Sequence, residues 1–197
     1  MTQRSIISGK KPTVIIKAGG SVIVKGVEGD RINAQSESRW GLKVERKKQK
    51  IEVQIGGSGE VSVPFASDLK VYAGKNLRVQ DIRGRVDAFS GLKLALEGVY
   101  CLGIVSAGWK MDIDCQTMPA KRATINAGSD LRFHVQDLTS AHIRVKDLGG
   151  YWEAIIGSGE KSIYLKSGGD VILVSDQTVQ ALPPNYILGS IEKPAIS

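Results

Sequence analysis

A short strand-and-glycine unit recurs between Lys70 and Val179 and constrains the fold more than any other feature. Six segments align: Leu77–Gln80, Leu92–Ala95, Trp109–Asp112, Leu131–His134, Trp152–Ile155 and Val171–Val174. Their starts lie 15, 17, 22, 21 and 19 residues apart. A second short strand sits between each pair: Arg85–Ala88, Gly103–Val105, Arg122–Ile125, His142–Val145 and Ser162–Leu165. Glycine or a small polar residue punctuates most boundaries. A period of about 20 residues is the mark of a stacked repeat, in which one unit cannot bury its own apolar face and neighbours supply the core.

Nearly every segment alternates with a period of two, as in Val14/Ile16, Ile51/Val53/Ile55, Val61/Val63 and Leu69/Val71. That pattern puts one face in a core and the other in water. No 3.6-residue periodicity persists over ten residues. The chain therefore reads as all-β, a β-solenoid of short strands with an N-terminal antiparallel β-hairpin region. A sandwich or barrel is the other all-β solution; the in-phase glycines favour the solenoid. Three zones follow. Residues 1–66 form a flexible lead and a hairpin or capping region, residues 67–180 the solenoid, and residues 181–197 an extended tail marked by Pro183-Pro184. Two hairpins are expected in the first zone: Thr13–Ala18 with Ser21–Lys25 across Gly19-Gly20, and Leu42–Glu45 with Ile51–Ile55. The inward set is Leu77, Val79, Leu92, Leu94, Trp109, Met111, Ile113, Leu131, Phe133, Val135, Trp152, Ala154, Ile156, Val171 and Leu173. The second strands add Val86, Ala88, Ile125, Ile143, Val145, Ile163 and Leu165.

The chain has 197 residues and a net charge of +7, and the charge is uneven. Residues 1–60 hold 12 Lys/Arg against 6 Asp/Glu, and the remainder 15 against 14. The densest run supplies Arg46, Lys47, Lys48 and Lys50 as candidate contacts to an anionic surface or glycan. Without a recognition helix or an aromatic platform beside it, the run does not indicate specific nucleic-acid binding. No stretch reaches the roughly 18 apolar residues of a membrane span. The first twelve residues lack the apolar core of a signal peptide, so a cytoplasmic chain is expected.

Chemistry-bearing motifs are sparse. The tract from Ile156 to Ser162 resembles a phosphate loop but lacks its first glycine and a following helix. It repeats the tract at Ile55–Glu60, and both read as turns. His134 and His142, with Asp137 and Asp147 nearby in sequence, read as surface histidines on strands, and Asp112/Asp114 as an i,i+2 pair on one face of a strand. Trp40, Trp109 and Trp152 share parity with core positions. Cys101 and Cys115 read as small buried or half-buried side chains. No cofactor or metal site is predicted, and the chain is expected not to be an enzyme.

The stretch Gly59-Glu-Val-Ser-Val-Pro-Phe-Ala-Ser-Asp-Leu-Lys-Val-Tyr-Ala-Gly, continued by Arg85–Gly91 and Leu131–Leu138, resembles the bacterial putative-adhesin family, a domain of unknown function. The resemblance covers about residues 50–180 and implies a β-solenoid with no established activity. Many members carry a signal peptide or membrane anchor, and this sequence departs from them in showing neither. Two functions fit. The first is a scaffold that self-assembles into a filament or oligomer through coil ends and terminal arms, with Tyr186, Ile187 and Leu188 of the tail as assembly contacts. The second is a monomeric adhesin-like module that binds a glycan or protein on a flat solenoid face. A polysaccharide-degrading β-helix using Asp112, Asp114 and Asp137 is the third and weakest.

Overall fold

The computed structural model describes residues 1–38, 41–117, 122–137, 140–148, 150–155 and 158–175. Trp40, Ile156 and the tail with Tyr186, Ile187 and Leu188 lie outside the described residues, as do the side chains of Asp137 and Trp152. Nineteen strands run through the described residues. The first ten are β1 (Thr2–Ile7), β2 (Thr13–Ala18), β3 (Val22–Val27), β4 (Arg31–Ser36), β5 (Leu42–Lys47), β6 (Lys50–Ile55), β7 (Gly59–Pro64), β8 (Asp68–Ala73), β9 (Leu77–Gln80) and β10 (Arg85–Ser90). The rest are β11 (Leu94–Val99), β12 (Cys101–Ala107), β13 (Met111–Thr117), β14 (Arg122–Ala127), β15 (Leu131–Asp137), β16 (Ala141–Asp147), β17 (Gly150–Ile155), β18 (Lys161–Ser167) and β19 (Val171–Ser175).

The strands form two sheets. Sheet A has the order β1-β4-β7-β3-β9-β11-β13-β15-β19, and sheet B the order β17-β16-β18-β14-β12-β10-β8-β2-β6-β5. From β7 to β19, and from β16 to β6, all neighbours are parallel. Each coil lays one strand in sheet B and the next in sheet A, which is a flattened β-solenoid. Seven such coils stack in the order β6/β7, β2/β3, β8/β9, β10/β11, β12/β13, β14/β15 and β18/β19. Both sheets run unbroken past residue 66. Antiparallel strands flank the stack, β1, β4 and β5 at one end and β17 on sheet B at the other, where sheet A ends in the parallel strand β19.

The alternation read from the sequence sets which side chains point inward. In β10, Val86 and Ala88 are buried while Arg85, Asp87 and Phe89 face out. Ile16, Val53, Val71, Ile113, Phe133 and Ile143 are fully covered between the sheets. The hairpin expected at the basic tip forms, with β5 antiparallel to β6 from Leu42–Ile55 to Lys47–Lys50. The hairpin expected across Gly19-Gly20 does not. β2 pairs with β6 and β8 in sheet B, and β3 with β7 and β9 in sheet A. A hairpin would have put Val14/Ile16 and Val22/Val24 on one face of one sheet. The turn instead carries the chain across the core, so the two apolar faces meet.

The turn from sheet B to sheet A has the same form in each coil, and its glycines stack. Down the stack they are Gly56, Gly19, Gly74, Gly91, Gly108, Gly128 and Gly168. From Gly19 on, each N–H donates to the carbonyl of the residue before the glycine of the preceding coil, from Gly19 to Ile55 (3.0 Å) through Gly74 to Ala18 (2.9 Å) to Gly168 to Ala127 (3.1 Å), while Gly56 N–H donates to the Gly41 carbonyl (2.9 Å). A Cβ on Gly19 would stand 2.6 Å from the Gly56 carbonyl oxygen, and on the later members it would be closer still. Glycine is required there by the approach of the neighbouring coil.

This ladder also corrects the repeat phase. The first buried residue after each turn is Leu77, Leu94, Met111, Leu131 or Val171. Leu92 and Trp109, expected inward, are 45% and 44% exposed. They occupy the open turn position that Lys75 and Ser129 hold in other coils, so hydrophobicity alone placed them two residues out of phase.

Candidate ligand-binding face

Three outward columns run across sheet B, perpendicular to its strands. The column nearest the glycine turns is set by unbroken register: Lys43, Gln54, Lys17, Tyr72, Phe89, Ser106, Asn126, Lys166, Lys146 and Tyr151. It holds four lysines, two amides, a hydroxyl and three aromatic rings, and no carboxylate. The acids of this face lie outside it, Glu45, Glu52, Asp87 and Glu153 in the next column and Asp68 in the one beyond.

Beside the acid-free column the corner of the solenoid is narrow, because the residues before six of the seven turn glycines are small: Ala18, Ala73, Ser90, Ala107, Ala127 and Ser167, with Ile55 before Gly56. A furrow follows. One part, about 800 Å³, is lined by Lys17, Gly19, Gln54, Gly56, Tyr72 and Gly74. A second, about 460 Å³, is lined by Ser106, Asn126, Gly128, Lys166 and Gly168. The Tyr72 and Phe89 rings stack between them, with centroids 5.0 Å apart and planes 12° from parallel. At about 4.8 Å per strand, the run from β6 to β18 is roughly 29 Å long. Amides and hydroxyls supply directional hydrogen bonds, and the rings supply flat apolar area with no flexible chain to order.

Glu52 anchors the lysine-rich end from the adjacent column. Its carboxylate accepts from Lys17 Nζ (2.8 Å), Lys47 Nζ (2.6 Å) and Gln54 Nε2 (3.0 Å). These donors, Lys17 first, lower its pKa from 4.5 to about 2.

The outer face of sheet A differs. Cross-strand ion pairs cover it, Lys25–Glu60 (2.8 Å), Arg78–Glu97 (2.8 Å) and Arg132–Asp112 (3.8 Å), and His134 Nδ1 lies 3.1 Å from Asp114. A shallow, largely apolar groove of about 560 Å³ crosses it, with Ile23, Ala95 and Ile172 in its walls beside Arg78, Lys110 and Arg132. Trp109 stands at the neighbouring turn, with the Lys93 and Lys110 ammonium groups 4.9 and 5.6 Å from its ring. Exposed ion pairs of this kind are worth little individually.

The sequence-nominated basic residues divide. Arg46 Nη2 donates to the Ile7 carbonyl (2.6 Å), tying the hairpin to β1. Lys47 is engaged by Glu52. Lys48 sits at the tip with φ 56°, and Lys50 opens β6. Asp112 and Asp114 are brought to Arg132 and His134, and His142 to Glu153, each by strand pairing and not by sequence proximity. Cys101 and Cys115 are both free thiols; Cys115 is buried. Sequence reasoning missed the acid-free column because each of its members comes from a different strand.

No family model matches the chain, and no curated protein does. Among solved structures, the chain is similar to a putative cell adhesion protein from Clostridium sporogenes, with a TM-score of 0.45 and 10% identity over 88% of this chain and 99% of that one.

Proposed function

We propose that this chain is a non-enzymatic binding module that holds an extended glycan in the furrow of sheet B. The observation that carries the reading is the acid-free column of lysine, amide, hydroxyl and aromatic side chains, with the Tyr72–Phe89 stack at its middle. A long furrow suits a linear chain. Sugar rings offer apolar C–H faces for the aromatic rings and hydroxyls for Gln54, Ser106 and Asn126. The acids proposed for hydrolysis lie elsewhere: Asp112 and Asp114 are on sheet A, each against a basic partner. Self-assembly through coil ends has no comparable support. At one edge of sheet B, β5 carries Lys43, Glu45, Arg46 and Lys47, and charge of this density opposes pairing at that edge.

The test is a screen of the purified chain against immobilised glycans, followed by calorimetry on the ligand retained. Tyr72→Ala and Phe89→Ala should each weaken binding about tenfold or more, since stacking contributes about 1–3 kcal/mol. Trp109→Ala, on the far side of the turn, should leave affinity unchanged. Binding that survives both furrow substitutions, or that depends on Trp109, would overturn the reading.

A further inference from the structure

We infer that the furrow ends in an anion subsite formed by Lys146, Lys166 and Arg144, and that the glycan it accepts carries carboxylates; this rests on the furrow reading above. Lys146 and Lys166 stand directly opposite each other on the parallel pair β16–β18. Like charges in register on adjacent strands repel. Among the described residues neither lysine has a carboxylate within salt-bridge distance. The other end of the column is different: Lys43 pairs with Glu45 (2.7 Å) and Lys17 with Glu52 (2.8 Å).

Arg144 lies two residues before Lys146 on the same face of β16. Its guanidinium rests 5.8 Å from the centre of the Tyr164 ring, and its Nε is covered and has no hydrogen-bond partner. The nearest carboxylate in register is Glu153 on β17. Glu153 is hydrogen-bonded by His142 Nε2 and the Tyr151 hydroxyl (3.0 Å), and Arg144 acts on it through its charge alone. Those bonds, His142 first, hold its carboxyl below the usual range. Three cations therefore share one end of the face with no free acid among the described residues. A planar guanidinium is suited to a carboxylate, which can accept two parallel bonds from it. A carboxylated glycan lying along the furrow would neutralise the Lys146–Lys166 repulsion where the column reaches β18 and β16.

Polygalacturonate and its fully methyl-esterified form are the probes, since they share a backbone and differ in charge. Wild-type protein should bind the acid about tenfold or more tightly than the ester, the equivalent of one charge-assisted contact. Lys146→Gln/Lys166→Gln should shrink that preference several-fold, by weakening acid binding more than ester binding, while the unliganded protein melts no lower than wild type because a repulsion has been removed. Equal binding of acid and ester by wild type, both sensitive to Tyr72→Ala, overturns the anion subsite and leaves the furrow reading standing. Acid binding that ignores Tyr72→Ala overturns the furrow reading. Inorganic polyphosphate binding as tightly as polygalacturonate overturns the assignment to a glycan, and retention of neither polymer overturns both readings.

Discussion

Gly91→Ala tests the physical account of the stack. A Cβ built on Gly91 overlaps the Gly74 carbonyl oxygen and lies 3.1 Å from its carbonyl carbon. Neither atom is a flexible side-chain end, so the two coils must separate. Two bonds hold them at this corner: Gly91 N–H to the Ala73 carbonyl (3.0 Å) and Leu92 N–H to the Lys75 carbonyl (2.9 Å). Each bond contributes about 0.5–1.5 kcal/mol, and forcing the coils apart adds strain of about 1–3 kcal/mol. The lower entropy of the unfolded alanine chain returns about 0.4–1 kcal/mol. The net expectation is a loss of about 2–4 kcal/mol, a large part of the 5–15 kcal/mol that is typical of a folded domain. Gly57→Ala is the control. Its Cβ would meet only Ser38 Cβ at 3.8 Å, an ordinary contact, so the same chemical change should be neutral or slightly stabilising. Urea denaturation followed by circular dichroism measures both. If the two variants differ by less than about 1 kcal/mol, close approach of backbones is not why the ladder is glycine.

Two further predictions concern titration. Glu52 has a folded pKa below its unfolded value of 4.5, so its contribution is present above pH 4.5 and lost as pH falls towards about 2; the stability difference between wild type and Glu52→Gln should shrink over that window, and a difference that stays constant would refute the three-donor account. Burial pushes the Cys115 thiol up from 9.0 to about 12, so its contribution is intact below pH 9 and lost as pH climbs to about 12; wild type should lose up to about 1.4 kcal/mol more per pH unit there than Cys115→Ala, and a thiol reagent should label Cys101 alone until urea is added.

Much of the fold was legible in the sequence because strand parity is local. Val86 and Ala88 against Arg85 and Asp87 need no tertiary information, and Ile113, Phe133 and Ile143 were placed inward by alternation alone. Phase was less secure. Leu92 and Trp109 look like core residues, yet the constraint that sets phase is the turn glycine, which must meet the glycine of the next coil. Counted from that point, Leu77, Leu94 and Met111 are spaced by 17 and 17, and Val171 falls 40 after Leu131 because the β16–β17 excursion intervenes. Coil order was not legible. β2 and β3 insert between β6/β7 and β8/β9, and nothing within Thr13–Val27 records which strands will flank them. The candidate site was hidden for the same reason. Lys17, Tyr72, Asn126 and Lys146 become neighbours in one column only after ten strands have been put in register.

That out-of-order insertion bears on binding. A stack of repeats whose coils contact only their neighbours frays from its ends. Here β2 is held between β6 and β8, and β18 between β14 and β16, so neither can leave without breaking a ladder on each side. These are the strands that carry Lys17 and Lys166, near the two ends of the furrow. The same connectivity that blocks fraying therefore fixes the spacing of the polar groups along the whole column. A rigid column spares an extended ligand the cost of ordering its site, and the glycine ladder that brings the coils close is also what leaves the corner open for one.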